Sequence, residues 1–134
     1  MNGLYYTSTM TQKVLGIDYG TTRIGLAIAR GPLAEPLTTV ANDAETLIKI
    51  QKIVDHEQVE KIVIGLSENQ MAVKTRAFAQ QLELTTKLPI EFVDETLSSY
   101  EMHHKLINHK RSIKQGSIDH LVAAQLLQDW LDTQ

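Results

Sequence analysis

Four acidic residues stand where the chain can support phosphate chemistry. Asp18 ends an apolar, β-branched run, "KVLGIDY", and is followed by Gly20-Thr21-Thr22. Asp94 and Glu95 close a second such run, "PIEFVD" and the residue after it. Asp119 sits in the first turn of a final amphipathic stretch, "IDHLVAAQLLQDWL". Carboxylates that converge repel one another and lose hydration, so the cluster needs a compensating charge. A hard divalent cation, Mg²⁺ or Mn²⁺, supplies it. Such ions take oxygen ligands, keep several waters, and bind through a few carboxylates together with substrate phosphates. Two of them roughly 4 Å apart activate a water and stabilise the leaving oxygen of a phosphodiester. Each acid also has a local use that involves no ion. Asp18 can bond the backbone of its own turn. Asp94, Glu95 and Asp119 can be helix N-terminal charges favoured by the dipole, with Ser117 as the N-cap before Asp119.

The elements that must position these acids follow from hydrophobic periodicity. "KVLGIDY" (13–19) and "RIGLAIA" (23–29) read as a hairpin joined through Gly20-Thr21-Thr22. Gly25 inside the second strand marks a close backbone approach or a bulge. Residues 30–36 carry loop punctuation, and "LTTVA" (37–41) is a third strand. Asn42 and Asp43 are expected to cap a helix in which Leu47, Ile50, Ile53 and Val54 recur at helical spacing. "EKIVIGL" (60–66) is a continuous apolar run, hence a buried central strand. A helix over 67–87 carries Ala72, Thr75, Phe78, Ala79 and Leu82 on one face, and Pro89 opens a strand over 89–94. Residues 97–110 and 118–131 predict two last helices. The second of these turns Ile118, Leu121, Val122, Leu126 and Trp130 inward.

The order β-β-β-α-β-α-β-α-α makes an α/β domain. Its five-stranded mixed sheet has three antiparallel strands, then two parallel additions by right-handed crossovers, with helices on both faces. Ligands gather at the carboxyl ends of strands in such sheets. The first and last strands are expected to lie side by side there, with the last helix packed across them. Asp18, Asp94 or Glu95, and Asp119 then meet.

Composition narrows the function classes. The 134 residues predict one domain over 13–134 after a flexible, polar lead-in over 1–12. With no cysteine, disulfides, thiolate metal sites and a cysteine nucleophile are excluded, which fits a cytoplasmic protein. No apolar run approaches the roughly 20 residues that span a bilayer, and the N-terminus is not a signal peptide. The formal net charge of −3 disfavours nucleic acid mildly. Residues 103–114, "HHKLINHKRSIK", nevertheless hold Lys105, Lys110, Arg111 and Lys114, three histidines and no acid. They are either a local positive patch or a solvated loop. His103, His104 and His109 lack helical ligand spacing and read as surface histidines. His120, beside Asp119, is an ordinary partly buried histidine or a proton shuttle.

"GIDYGTTRIGLAIA" followed by "PLTTV", "IVIGLSENQMAVKTRAFAQQL", "PIEFVDETLSS" and "IDHLVAAQLLQDWL", in that order from about Lys13 to Leu131, resemble the YqgF family. These are pre-16S rRNA nucleases, also described as Holliday-junction-resolvase-like proteins. The resemblance implies an RNase H-like fold and a divalent-metal-dependent endonuclease acting in 16S rRNA 5′-end maturation. It carries the family's three acids onto Asp18, Glu95 and Asp119, as metal ligands and catalytic residues. Asp94, from its own place at the end of a strand, is a weaker fourth candidate. Precursor rRNA is the implied partner, and branched DNA the alternative. Thr96 stands where many members have arginine, which removes a bidentate phosphate clamp. Thr21 and Thr22 on the turn, with Lys110, Arg111 and Lys114, are the candidate nucleic-acid contacts.

Two rivals share parts of this pattern. The actin and sugar-kinase ATPases also use an Asp-x-Gly-Thr-Thr hairpin, but close two domains over the nucleotide, and this chain supplies one. A non-cleaving RNase H-like module that holds RNA or a protein is favoured by the net charge and Thr96. Retention of all three acids opposes it, because a pure binder gains by losing negative charge beside phosphate.

Overall fold

Alternation of side-chain size along "RIGLAIA" shapes the molecule. In the computed structural model, which describes residues 12–66, 70–94 and 118–134, this segment forms strand β2 (Arg23–Ala29). Its neighbours in the chain are β1 (Val14–Asp18) and β3 (Ala34–Ala41). Then follow helix α1 (Thr46–Glu57), β4 (Lys61–Leu66), helix α2 (Gln70–Thr86), β5 (Ile90–Asp94) and helix α3 (Asp119–Asp132). The sheet order is β3-β2-β1-β4-β5. The pairs β1·β2 and β2·β3 are antiparallel; β1·β4 and β4·β5 are parallel.

Successive residues of a strand point to opposite faces. Ile24, Leu26 and Ile28 therefore join Leu15, Ile17, Ile62 and Ile64 on one face. There they meet Ile50 and Val54 of α1 and Phe78, Ala79 and Leu82 of α2. Each fully buried Leu or Ile contributes about 1.5–3 kcal/mol relative to exposure. The opposite face is built from small residues. Ala27, Ala29, Val14 and Val63 meet Ala123, Leu126, Leu127 and Trp130 of α3.

Glycines let α3 lie close on this face. A Cβ on Gly16 of β1 would stand 2.8 Å from the Leu127 Cβ, and one on Gly65 of β4 would stand 2.9 Å from Leu126 Cδ2. A Cβ on Gly25 of β2 would collide with the backbone carbonyl of Asp119 itself. The expectation of a close approach at Gly25 is met. The register shift between β2 and β3 falls one residue further, between Leu26 and Ala27. At the far end of α3, Trp130 Nε1 donates to Glu91 of β5 at 2.7 Å, and Lys61 of β4 bonds the same carboxylate at 2.7 Å. Lys61 Nζ also lies 5.0 Å from the Trp130 ring centroid.

The structure corrects several expectations. The first and last strands are not adjacent, because β4 lies between β1 and β5. The continuous apolar run of β4 is what a strand with neighbours on both edges and helices on both faces requires. Strand β3 begins at Ala34 rather than Leu37 and includes Pro36. An edge strand tolerates a residue without an N–H, so the Gly and Pro of 30–36 hide the start of β3. Asn42 and Asp43 do not cap α1, whose N-terminal boundary residue is Glu45 with no side-chain cap. Asp43 instead accepts from Glu45 N at 2.9 Å within its own turn. The helix predicted over 97–110 lies outside the described residues. No helix among the described residues is long and apolar enough to cross a membrane.

Two outcomes are expected. Gly25→Ala forces α3 off the sheet at its N-terminus. Overpacking typically costs 1–3 kcal/mol, and a backbone obstacle puts this variant at about 3 kcal/mol or more, read as a fall in denaturation midpoint. Separately, Lys61 first and Trp130 second hold the Glu91 carboxyl below the usual carboxylate range. A lowered folded-state pKa stabilises the protein above the ordinary Glu value, and that contribution is lost as pH falls through the folded value. Glu91→Gln should therefore cost about 0.5 kcal/mol at neutral pH, discounted because this carboxylate is 45% exposed. The gap from the parent should close in acid, in melting curves taken from pH 7 downward.

Candidate active site

Strand register brings two of the four acids to one place. Asp18, the last residue of β1, pairs directly with Gly25 of β2. Residues opposite one another in an antiparallel pair point to the same face. Gly25 points at the Asp119 backbone, so Asp18 faces the N-terminus of α3. The row continues through the register of the next strands to Gly65 and Val93, and Val93 packs in the α3 cluster. Asp18 and Asp119 thus share one face at the carboxyl end of β1. Asp94 does not join them. It pairs with Leu66, one residue beyond that row, and shares the parity of Ile90 and Phe92, which face α1 and α2. Glu95 follows Asp94 in the chain and lies outside the described residues. So do Lys110, Arg111 and Lys114 of the basic segment, with His103, His104, His109, Thr96 and Ser117.

One further charged side chain, which residue type and spacing do not mark, joins the described part of the site. Arg23, first in β2, shares the α3 face with Gly25, two residues away. Its Nε donates to Asp119 Oδ2 at 2.9 Å. The Asp119 side chain is 19% exposed and that of Arg23 is 36% exposed. The ion pair offsets part of the desolvation of a mostly covered carboxylate. The alternation that sends Gly25 to this face sends Arg23 there as well, and that was the available signal.

The turn between β1 and β2 is held from β3. Asn42 Nδ2 donates to the Gly20 carbonyl at 2.8 Å, and Asn42 N donates to the Thr22 carbonyl at 2.9 Å. A Cβ at Gly20 would strike the Arg23 carbonyl, so the turn is tight at that residue. Thr21 and Thr22 are exposed at its tip. Tyr19, next to Asp18, turns to the other face and packs on Phe78 with ring centroids 4.8 Å apart. His120 Nδ1 lies 3.3 Å from Thr39 Oγ1 of β3, so a strand hydroxyl engages the ring beside Asp119. The ring is partly buried.

Among the described residues, no three His, Cys, Asp or Glu side chains gather closely enough to hold a metal ion. Two carboxylates with a shared face are nevertheless a hard-oxygen donor set of the kind Mg²⁺ or Mn²⁺ takes.

Known proteins share this frame. The sequence model described as "RuvX: Holliday junction resolvase" matches residues 12–133. A protein of Anaeromyxobacter dehalogenans is 37% identical over 132 residues, covering 90% of this chain and 96% of the relative. One of Synechococcus sp. is 38% identical over 132 residues, covering 90% and 89%. Both carry the name "Putative pre-16S rRNA nuclease". Among solved structures, Thermus thermophilus RuvC in complex with a Holliday junction substrate aligns with a TM-score of 0.60 at 14% identity, covering 91% of this chain and 94% of that one. The fowlpox virus Holliday junction resolvase aligns at 0.53 with 10% identity, covering 92% and 100%. The structural likeness establishes the RNase H-like fold. The match along the sequence establishes descent: the chain belongs to the RuvX family, described as Holliday junction resolvases and also called YqgF.

Proposed function

We propose that this protein is a divalent-metal-dependent endonuclease that hydrolyses nucleic-acid phosphodiesters, with the 5′ end of precursor 16S rRNA as its substrate. The observation that carries this reading is the joint placement of Asp18 and Asp119 on one face at the carboxyl end of β1, enforced by Gly25. The names of the curated relatives point to rRNA. The family description points to branched DNA instead and makes that the second reading.

Asp18, Asp119 and Glu95 would hold Mg²⁺ or Mn²⁺, with Asp94 set apart on the other face. When bound, such ions polarise the phosphate and lower the pKa of water. The chain's own residues orient the rest. Gly25 fixes the height of the α3 N-terminus and so the reach of Asp119. Asn42 holds the Gly20–Thr22 turn, which presents Thr21 and Thr22 to a phosphate. Lys110, Arg111 and Lys114 would hold the strand electrostatically. The nuclease, acting on ester bonds, works in the cytoplasm on this reading.

The test uses purified protein with Mg²⁺ or Mn²⁺ and three labelled substrates: a precursor 16S 5′ fragment, a four-way DNA junction and linear duplex DNA. The rRNA fragment should be cut. Asp18→Asn and Asp119→Asn should each lose more than about 100-fold in rate, beyond what changes to groups behind the ligands usually cost. Preferential cutting of the junction would install the second reading. Equal cleavage by parent and variants, or binding with no cleavage, would leave an RNase H-like binding module. Replacing Lys110, Arg111 and Lys114 with alanine should flatten the salt dependence of binding by about 0.7 per lost phosphate contact on single strands; an unchanged slope would remove them from the interface.

A further inference from the structure

We infer that Arg23 is a phosphate-gripping residue of this site, with its Nε fixing Asp119 and its two amino groups, the Nη atoms, directed to a non-bridging oxygen of the bound nucleic acid. The inference rests on the nucleic-acid reading of the site and assigns it a residue that no sequence motif singled out.

The arginines differ in how their donors are used. Arg30 is fully engaged in structure: one Nη bonds Glu35 at 3.0 Å and the other bonds Glu57 at 2.6 Å. Arg76 lies over the Phe92 ring, 5.2 Å from its centroid. That stacking is on the face away from Asp18. Arg23 alone among these three engages a carboxylate through Nε and makes no hydrogen bond through its Nη atoms among the described residues.

Its position suits the role. Arg23 lies two residues from Gly25 on the same strand, one same-face step of about 7 Å. That step leads from the Asp18 rung towards the turn bearing Thr21 and Thr22. Its side chain is 36% exposed, so solvent and a ligand can reach it. Asp119 anchors one edge of the planar guanidinium. The rest of the fork is thereby pre-organised, and little rotamer freedom remains to be lost when phosphate binds. A cation here also softens the repulsion between an approaching phosphate and the two carboxylates.

The experiment measures RNA binding and metal binding separately. Full-length parent, Arg23→Gln and Arg23→Lys are titrated with a fluorescent precursor 16S 5′ fragment in EDTA over a range of salt. The same proteins are titrated with Mn²⁺ alone by electron paramagnetic resonance, and their melting temperatures are recorded. Arg23→Gln should weaken RNA binding about tenfold and lower the salt slope by about 0.7, one phosphate on a single strand. Its Mn²⁺ affinity should hold or rise, since a positive charge beside Asp119 is gone. Arg23→Lys should restore the slope and recover only part of the affinity, because ammonium keeps the charge without the fork.

Parent-like RNA affinity in Arg23→Gln would overturn the inference. So would a joint fall in RNA affinity, Mn²⁺ affinity and melting temperature, the mark of a purely structural pair. If Arg23→Gln does not fold, Arg23→Lys decides: parent-like affinity overturns the inference, and weakened affinity with an intact slope supports it. Cleavage by the parent is scored apart. A parent that binds RNA through Arg23 yet leaves it intact with Mn²⁺ sinks the nuclease reading alone. A parent that cuts while Arg23→Gln binds equally sinks only the role of Arg23, and a parent that does not bind RNA sinks both.

Discussion

The bare Cα of Gly25 against the carbonyl of Asp119 is the contact on which the site depends. No other residue type permits that approach, because any Cβ would occupy the space the helix backbone fills. The contact links two features that are far apart in the chain. Gly25 is the direct pairing partner of Asp18, so whatever touches Gly25 on that face sits beside Asp18. A helix resting there necessarily presents its first turn to the end of β1. Gly16 and Gly65 extend the same logic down the helix, where Leu127 and Leu126 settle onto neighbouring strands. The Trp130–Glu91–Lys61 cluster fastens the other end.

Packing and electrostatics are therefore divided between the two faces of the sheet. Large aliphatic side chains face α1 and α2 and supply most of the burial. Small side chains and glycines face α3, where less apolar area is available but the backbone comes near. The short side chain of Asp119 can then be placed by the backbone of the helix that carries it. The Arg23–Asp119 pair illustrates the consequence. Gly25 sets the height of the helix that bears Asp119, and Arg23 on the same strand meets this mostly covered carboxylate at 2.9 Å.

The same architecture is kept by sequences that share little identity. RNase H-like sheets occur in the RuvC–junction complex and in the viral resolvase, at identities that convey the fold and nothing finer. A fold of this kind does not by itself fix a substrate. Here Asn42 holds the β1–β2 turn beside the end of β1.

Hydrophobic period determined much of this protein. It placed the five strands and three helices of the described residues, because each segment must bury a face of fixed periodicity, and the short turns and helical crossovers set the antiparallel-then-parallel order. It also marked Gly25 as a point of close approach, and the ordered motifs identified the family. Strand adjacency was decided only by the tertiary structure. Sequence order does not say that β4 inserts between β1 and β5, since β4's fit depends on partners on both edges. Pro36 disguised the start of an edge strand, and Asn42 resembled a cap while it braces a turn across the sheet. In the sequence Asp94, like Asp18, is an acid at a strand end. One residue of register then set it on the opposite face, while the same parity carried Arg23 to Asp119. Residue type and spacing announce the chemistry that is available. Which side chains face each other is a property of register and helix height, and these are fixed only when distant segments pack.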